Sequence, residues 1–139
     1  MTIHFAIAKE EIAVRSIIAT DDEGRVLYSR AQPLGPAIYS NHELAYRTLI
    51  AVLRWAREHS SEQGTICTDQ ELLYREIGGE WECNAIHLRL LRDEARALLE
   101  EMDARLLYIP IRENMQARLL CRMAAHQARV EMKGGQSVA

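Results

Sequence analysis

Near residue 40 the hydrophobic pattern of this chain passes from consecutive strand-like runs to alternating helix and strand, and that change constrains the fold more than any single motif. Before it, apolar residues form short β-branched runs at 2–8 (Thr-Ile-His-Phe-Ala-Ile-Ala), 12–20 (Ile-Ala-Val-Arg-Ser-Ile-Ile-Ala-Thr) and 25–30 (Arg-Val-Leu-Tyr-Ser-Arg). Such runs suit strands. Lys9-Glu10-Glu11 and Asp21-Asp22-Glu23-Gly24 separate them as polar turns, the second with a glycine free to take positive φ. The opening is therefore a three-stranded antiparallel meander. Pro33, Gly35 and Pro36 then predict a loop.

After residue 40 the spacing is helical. Ser40-Asn41-His42-Glu43 matches a capping box, with Glu43 able to reach back to the Ser40 amide. Leu44, Thr48, Ala51, Val52 and Trp55 follow on one helix face, to residue 59. A strand at 65–68 and a short helix at 70–77, stopped by Gly78-Gly79, come next. Ile86, Leu90, Leu91, Ala95, Leu98, Leu99 and Met102 mark a long amphipathic helix. A fifth strand spans 105–111, with Pro110 placing it at an edge. A last helix runs over 114–130, and 130–139 reads as a frayed tail. The order β-β-β-α-β-α-α-β-α predicts one α/β domain over 1–139. Its sheet is mixed and five-stranded, a three-strand antiparallel meander plus two parallel strands, with helices on both faces.

Charge and cysteine usage narrow the function. With 17 Lys and Arg against 20 Asp and Glu, the net charge is −3, which gives no bulk support for backbone-driven nucleic-acid binding. Arg89, Arg92 and Arg96 share one helix, but Asp93, Glu94, Glu100 and Glu101 intersperse with them, so a solvated face is expected. Cys67, Cys83 and Cys121 are odd in number and lack metal-ligand spacing, which predicts buried thiols rather than disulfides or a zinc site. No apolar run is long enough to span a membrane, and a secretory signal pattern is missing, so a cytoplasmic location is expected.

The chemistry-bearing stretch is Thr65 to Trp81. Here an apolar strand ends in Asp69, a short helix follows, and Gly78-Gly79-Glu80-Trp81 closes it. Carboxylates at the C-terminal ends of strands in α/β sheets commonly sit at functional sites. The competing role for Asp69 is a plain helix cap.

Four segments together resemble the ribonuclease H family, in particular its small bacterial and archaeal members. Asn41-His42-Glu43-Leu44-Ala45-Tyr46-Arg47-Thr48-Leu49-Ile50-Ala51 is similar to the family's first helix, Asn-x-x-Ala-Glu-Tyr-x-Ala-Leu-Ile-x. Thr68-Asp69-Gln70-Glu71-Leu72 resembles its Ser-Asp-Ser-x-Leu, and Ile77-Gly78-Gly79-Glu80-Trp81 its Ile-x-Gly-x-Trp. Ile109-Pro110-Ile111-Arg112-Glu113-Asn114-Met115-Gln116-Ala117-Arg118 resembles the Val-Pro-Arg-x-x-Asn-x-x-Ala-Asp that opens the last helix. The resemblance covers residues 2–128 and implies a ribonuclease H fold.

The family's enzymes hold two Mg²⁺ ions on four acids, about 3.5–4 Å apart. Mg²⁺ is hard and wants carboxylates. Placed on this chain by the resemblance, three of those acids are gone: Ala6 stands in the first strand, Ala45 in the first helix and Arg118 in the last. Asp69 is the sole acid retained and the one catalytic candidate. The family's glycine-rich first hairpin is missing too, since no glycine precedes Gly24. Glu43, Glu10, Glu11 and Glu71 do not clearly converge on Asp69; Glu43, two residues from Ala45, points about 200° away on a helix. An Asp69–Arg118 ion pair is expected to take the place of the metal.

The leading expectation is a ribonuclease H-like domain without nuclease activity and without a metal cofactor, serving as a binding or assembly module. Arg118, Asn114 and Trp81 are its binding candidates, and nucleic acid, a protein or a second copy of the chain its partners. The alternative is a Mg²⁺- or Mn²⁺-dependent ribonuclease H that cleaves RNA in RNA–DNA hybrids through rearranged acids. Trp55, Trp81 and Tyr74 exposed in one apolar patch would favour an assembly role, whereas Trp55 is expected in the core.

Overall fold

The computed structural model describes residues 1–60 and 63–137 of the 139. Its strands are β1 (Thr2–Lys9), β2 (Ile12–Thr20), β3 (Val26–Pro36), β4 (Thr65–Thr68) and β5 (Arg105–Tyr108). Its helices are α1 (Asn41–His59), α2 (Glu71–Ile77), α3 (Ile86–Met102) and α4 (Met115–Ser137), with a 3-10 turn at Ile111–Glu113. The five strands form one sheet in the order β3-β2-β1-β4-β5. β1 and β3 flank β2 antiparallel, while β4 runs parallel to β1 and β5 parallel to β4. The meander and the two parallel strands expected from the sequence are both present.

Alternation along the strands divides the core in two. Ile3 and Phe5 of β1 pack with Tyr46, Leu49 and Leu53 of α1 and with Leu98 of α3. Ala6 of β1 and Val14 and Ile18 of β2 pack on the opposite face against Ala117 and Cys121 of α4. Because β1 is covered on both faces, its central residues Ile3, Phe5 and Ala6 are small or apolar on both sides, with His4 the half-buried exception. Helices thus lie on both faces of the sheet, α1 and α3 on one and α4 on the other.

Local chemistry sets the element ends. At the β2–β3 turn Asp21 accepts from the backbone N–H groups of Glu23 (3.0 Å) and Arg25 (2.8 Å), and Gly24 takes φ 81°. Ser40 caps α1 by accepting from the Glu43 amide at 3.1 Å. The reciprocal half of the capping box is not made among the described bonds; the Glu43 carboxylate instead pairs with Arg47 at 2.9 Å and faces His87 at 3.3 Å.

Several boundaries differ from the sequence reading. Pro33, Gly35 and Pro36 lie inside β3, not in a loop. β3 is the sheet's edge, where a missing N–H costs no ladder bond, and its register slips opposite Ile12/Val14. β5 ends at Tyr108, since the Pro110 turn takes over before Ile111. The tail expected to fray from residue 130 continues α4 to Ser137; Gly134 and Gly135 keep negative φ, so nothing there turns the chain out of the helix. Val138 and Ala139 lie outside the described residues. No helix among the described residues is long and apolar enough to cross a membrane.

The arginines of α3 form no basic patch: Arg92 pairs with Asp93 at the surface, whereas Arg89 and Arg96 reach backbone carbonyls. Arg96 donates to the carbonyls of Ile77 and Glu76, both at 3.0 Å, and Arg89 to that of Cys83 at 2.6 Å. They satisfy carbonyls at and beyond the C-terminus of α2 that the short helix leaves open. Beneath them Glu76 is buried, its Oε1 accepting from Tyr46 at 2.8 Å and facing His42 Nε2 at 2.7 Å. Burial first, then the Glu76 hydrogen bond, pushes the Tyr46 hydroxyl far above its ordinary range. Tyr46→Phe removes a donor from this buried carboxylate and should cost about 1–3 kcal/mol, read as a lower urea midpoint at unchanged slope.

Candidate functional site

The site forms where the C-terminal end of β4 meets the start of α4. Asp69 follows β4 directly, with its side chain 1% exposed. Its carboxylate does not cap α2. The cap position belongs to Gln70, which makes no side-chain cap bond, and the Gln70 amide instead donates to the Thr68 hydroxyl at 3.0 Å. The helix-cap role considered for Asp69 is therefore overturned: its oxygens are turned toward α4.

There Arg118 meets it as a two-pronged ion pair. Nε donates to Oδ2 at 2.8 Å and Nη2 to Oδ1 at 2.9 Å. Such fork-to-fork geometry is the strong form of the interaction. Asn114, one helical turn earlier, donates from Nδ2 to Oδ2 at 2.8 Å and to the Phe5 carbonyl at 2.8 Å. The Gln70 side-chain amide donates to Oδ1 at 2.9 Å. Each carboxylate oxygen thus holds two N–H donors, which fills the lone-pair sites of an ionised Asp. Hydrogen bonding to Asp69 raises the Arg118 pKa, outweighing burial, which lowers it.

Asn114 ties three elements together. It is 1% exposed, and its Nδ2 bridges β1 and the end of β4 from α4. Both of its targets are acceptors, so the amide must turn its nitrogen to them. That leaves Asn114 Oδ1 buried without a partner.

The positions that the sequence resemblance set beside Asp69 carry no acid. Ala6 is 2% exposed and packed under α4; Ala45 is 1% exposed and packed into the core between sheet and α1. Neither leaves an open vacancy beside Asp69. Of the other acids considered, Glu10 pairs with Arg129, Glu43 with Arg47, and Glu71 with Arg75 at 3.7 Å. No group of three metal-ligating side chains occurs among the described residues.

Trp81 is not brought to Asp69. It follows the C-terminus of α2, about 10 Å of helix from the acid, and is 44% exposed with the Arg75 guanidinium 5.9 Å from its ring. Tyr74 also lies 5.9 Å from that guanidinium. Trp55 is on another face, stacked between Tyr28 (4.8 Å) and His59 (4.6 Å), so the three aromatics form no single patch.

Cys121 belongs to the site although the sequence did not point to it. Its thiol sits 3.4 Å from the Ala6 carbonyl, and burial pushes its pKa up. Ser16 likewise donates to the Ala117 carbonyl at 2.6 Å. The signal available for Cys121 was its helical spacing from Asn114 and Arg118.

With this sheet order, these helices and this site, the chain has the ribonuclease H fold. RNase H1 of the halophilic archaeon Halobacterium salinarum NRC-1 matches it with a TM-score of 0.81 at 23% identity, over 91% of this chain and 97% of that one. The N-terminal RNase H domain of a Mycobacterium tuberculosis protein gives 0.71 at 21% identity, over 91% and 98%. LC11-RNase H1 in complex with an RNA/DNA hybrid gives 0.71 at 17% identity, over 91% and 97%. No protein-family model and no curated protein matches the sequence.

Two stability tests follow. Arg118→Met strands a buried carboxylate and should lower stability by about 2–3 kcal/mol, below the usual 3–5 for a fully buried pair because Arg118 is 25% exposed. Asp69→Asn removes the counter-charge of Arg118 and sets an amide NH2 against its donors. That guanidinium is 25% exposed and can hydrate, so the variant should cost less than Arg118→Met in the same urea titration. Separately, burial lowers the pKa of His4, which lies beside the 3-10 turn, from 6.5. As pH falls through 6.5 the unfolded chain takes up a proton that the folded chain resists, so stability drops. His4→Gln should flatten that acid limb in melts run across this range.

Proposed function

We propose that this chain is a ribonuclease H-fold binding module that does not cleave, with nucleic acid as its partner. One observation carries the reading: the single acid retained from the family's metal set has both oxygens filled by Arg118, Asn114 and Gln70. A two-metal centre needs several carboxylates with free lone pairs around the ions. These residues do not fit Mg²⁺ or Mn²⁺: two positions are alanine and the fourth is a guanidinium, whose charge opposes a cation. Against a hydrolase with rearranged acids weighs that Glu10, Glu43 and Glu71 each turn to a basic partner.

Nucleic acid is favoured by two aromatic–arginine pairs at the surface, although both arginines also pair with carboxylates. Trp81 lies under Arg75, and Tyr39 under Arg47 at 4.4 Å. Such groups stack bases and contact phosphates. LC11-RNase H1, similar in fold, is known in complex with an RNA/DNA hybrid. The net charge of −3 implies weak, salt-sensitive binding. A protein partner is the second reading, supported by Met115, Leu119 and Met123, exposed on successive turns of α4.

The test is an RNA–DNA hybrid incubated with Mg²⁺ or Mn²⁺, beside anisotropy measurements of binding. Wild type and Asp69→Asn should show the same background cleavage, while the hybrid binds and Trp81→Ala weakens it about tenfold. Cleavage by wild type that Asp69→Asn abolishes would make the chain a hydrolase. No binding, with self-association instead, would favour the protein reading. The variant Ala6→Asp/Ala45→Glu/Arg118→Asp should gain metal-dependent cleavage if the missing ligands alone account for the silence.

A further inference from the structure

A pocket of about 210 Å³ lies between α1 and the β2–β3 hairpin, away from Asp69. Arg15 and Gln32 are cross-strand partners, as are Ile17 and Arg30. Arg15 and Arg30 are therefore diagonal neighbours on one sheet face, about 7–8 Å apart at Cβ. Both line the pocket, with Gln32, Thr48, Tyr28 and Trp55.

Its electrostatics stand apart from the rest of the molecule. None of the lining residues is acidic, in a chain whose acids outnumber its basic residues 20 to 17. Elsewhere the half-buried arginines face carboxylates or carbonyls, as Arg118 faces Asp69 and Arg96 the end of α2. Arg15, by contrast, is opposed by no carboxylate. Its partner is the neutral Gln32, whose Oε1 accepts from Nε at 3.3 Å and Nη2 at 3.1 Å. A guanidinium has five donors, so most of this fork is unused. Burial and the nearby Arg30 both lower the Arg15 pKa, as expected for a cation lacking a counter-charge. In the pocket wall the Thr48 hydroxyl is fully buried and has no hydrogen-bond partner, although a helical threonine ordinarily bonds back to the preceding turn.

We propose that this pocket binds a small organic oxyanion carrying two negative charges, a phosphate monoester or a dicarboxylate on a compact apolar body. Two adjacent guanidinium groups match a dianion, and the Arg15 fork suits oxyanion geometry. Ile17, Val52 and the edge of Trp55 provide the apolar wall. Trp55 already stacks with Tyr28 at 4.8 Å and with His59 at 4.6 Å, which disfavours its use as a platform for a base. The volume equals roughly seven waters at about 30 Å³ each, which sets the ligand at a few to a dozen heavy atoms.

The test is amide NMR titration of the full chain with phenyl phosphate, phthalate and benzoate, backed by calorimetry. Phenyl phosphate or phthalate should bind once per chain, with shifts confined to β2, β3 and α1. Benzoate, a monoanion, should bind about tenfold more weakly. Arg15→Gln and Arg30→Gln should each weaken phenyl phosphate about tenfold with dispersed spectra retained, while Arg122→Gln on α4 changes nothing. Arg30 is exposed at the sheet edge, so its variant still reads the site if Arg15→Gln unfolds. Absence of saturable shifts, an Arg30→Gln affinity equal to wild type, or tighter binding of a single-stranded oligonucleotide at these residues would overturn the proposal. Hybrid binding through Trp81 is read out separately, so either inference can fail alone.

Discussion

The bidentate contact between Asp69 and Arg118 holds together the two halves of this molecule. The helices on one face are anchored to the sheet through broad apolar burial by α1. The other face has a smaller apolar set, Ala6, Val14, Ile18, Ala117 and Cys121. There a buried carboxylate at the end of β4 would be costly alone. Arg118 supplies its counter-charge from α4, and Asn114 fixes the same helix to the backbone of β1. The start of α4 is therefore registered against two strands by charge and hydrogen bonds where apolar contacts are few. A buried ion pair is weak evidence for net stability, since apolar replacements often do as well. Its clearer effect is on geometry: only one placement of α4 satisfies both oxygens of Asp69.

The same contact explains why small residues suffice at positions 6 and 45. A metal centre at this point in the fold needs oxygen ligands arriving from β1, α1, β4 and α4 with space left for ions and water. Here the carboxylate at the end of β4 meets a guanidinium, and positions 6 and 45 hold buried alanines. Alanine there lets β1 and α1 close on their neighbours.

Much of this was legible from residues alone. The period change near residue 40 placed the meander and the helices, because side-chain alternation and helical spacing are local properties. The pairing of Asp69 with Arg118 was legible from charge balance once the fold aligned them. What failed was decided by tertiary position. Pro33 and Pro36 read as breakers, yet an edge strand exposes one row of backbone groups and tolerates them. Arg89 and Arg96 read as solvated, yet the short α2 leaves carbonyls that only long donors from α3 reach. Arg15 and Arg30 gave no sequence signal at all, because their proximity depends on strand register across a hairpin.

That last point bears on how the fold carries function. Ribonuclease H chemistry gathers acids at the C-terminal edge of the parallel strands. In this chain that edge is neutralised from within, by groups that bond one another. The unneutralised charge lies instead on the antiparallel half of the sheet, where Arg15 and Arg30 face a cavity with no acid beside them. A guanidinium half removed from water without a counter-ion is disfavoured in the free protein, and an arriving anion relieves that disfavour. The two ends of one sheet thus differ: at one, a buried charge is matched by the molecule's own side chains, and at the other Arg15 and Arg30 line a cavity without an acidic residue.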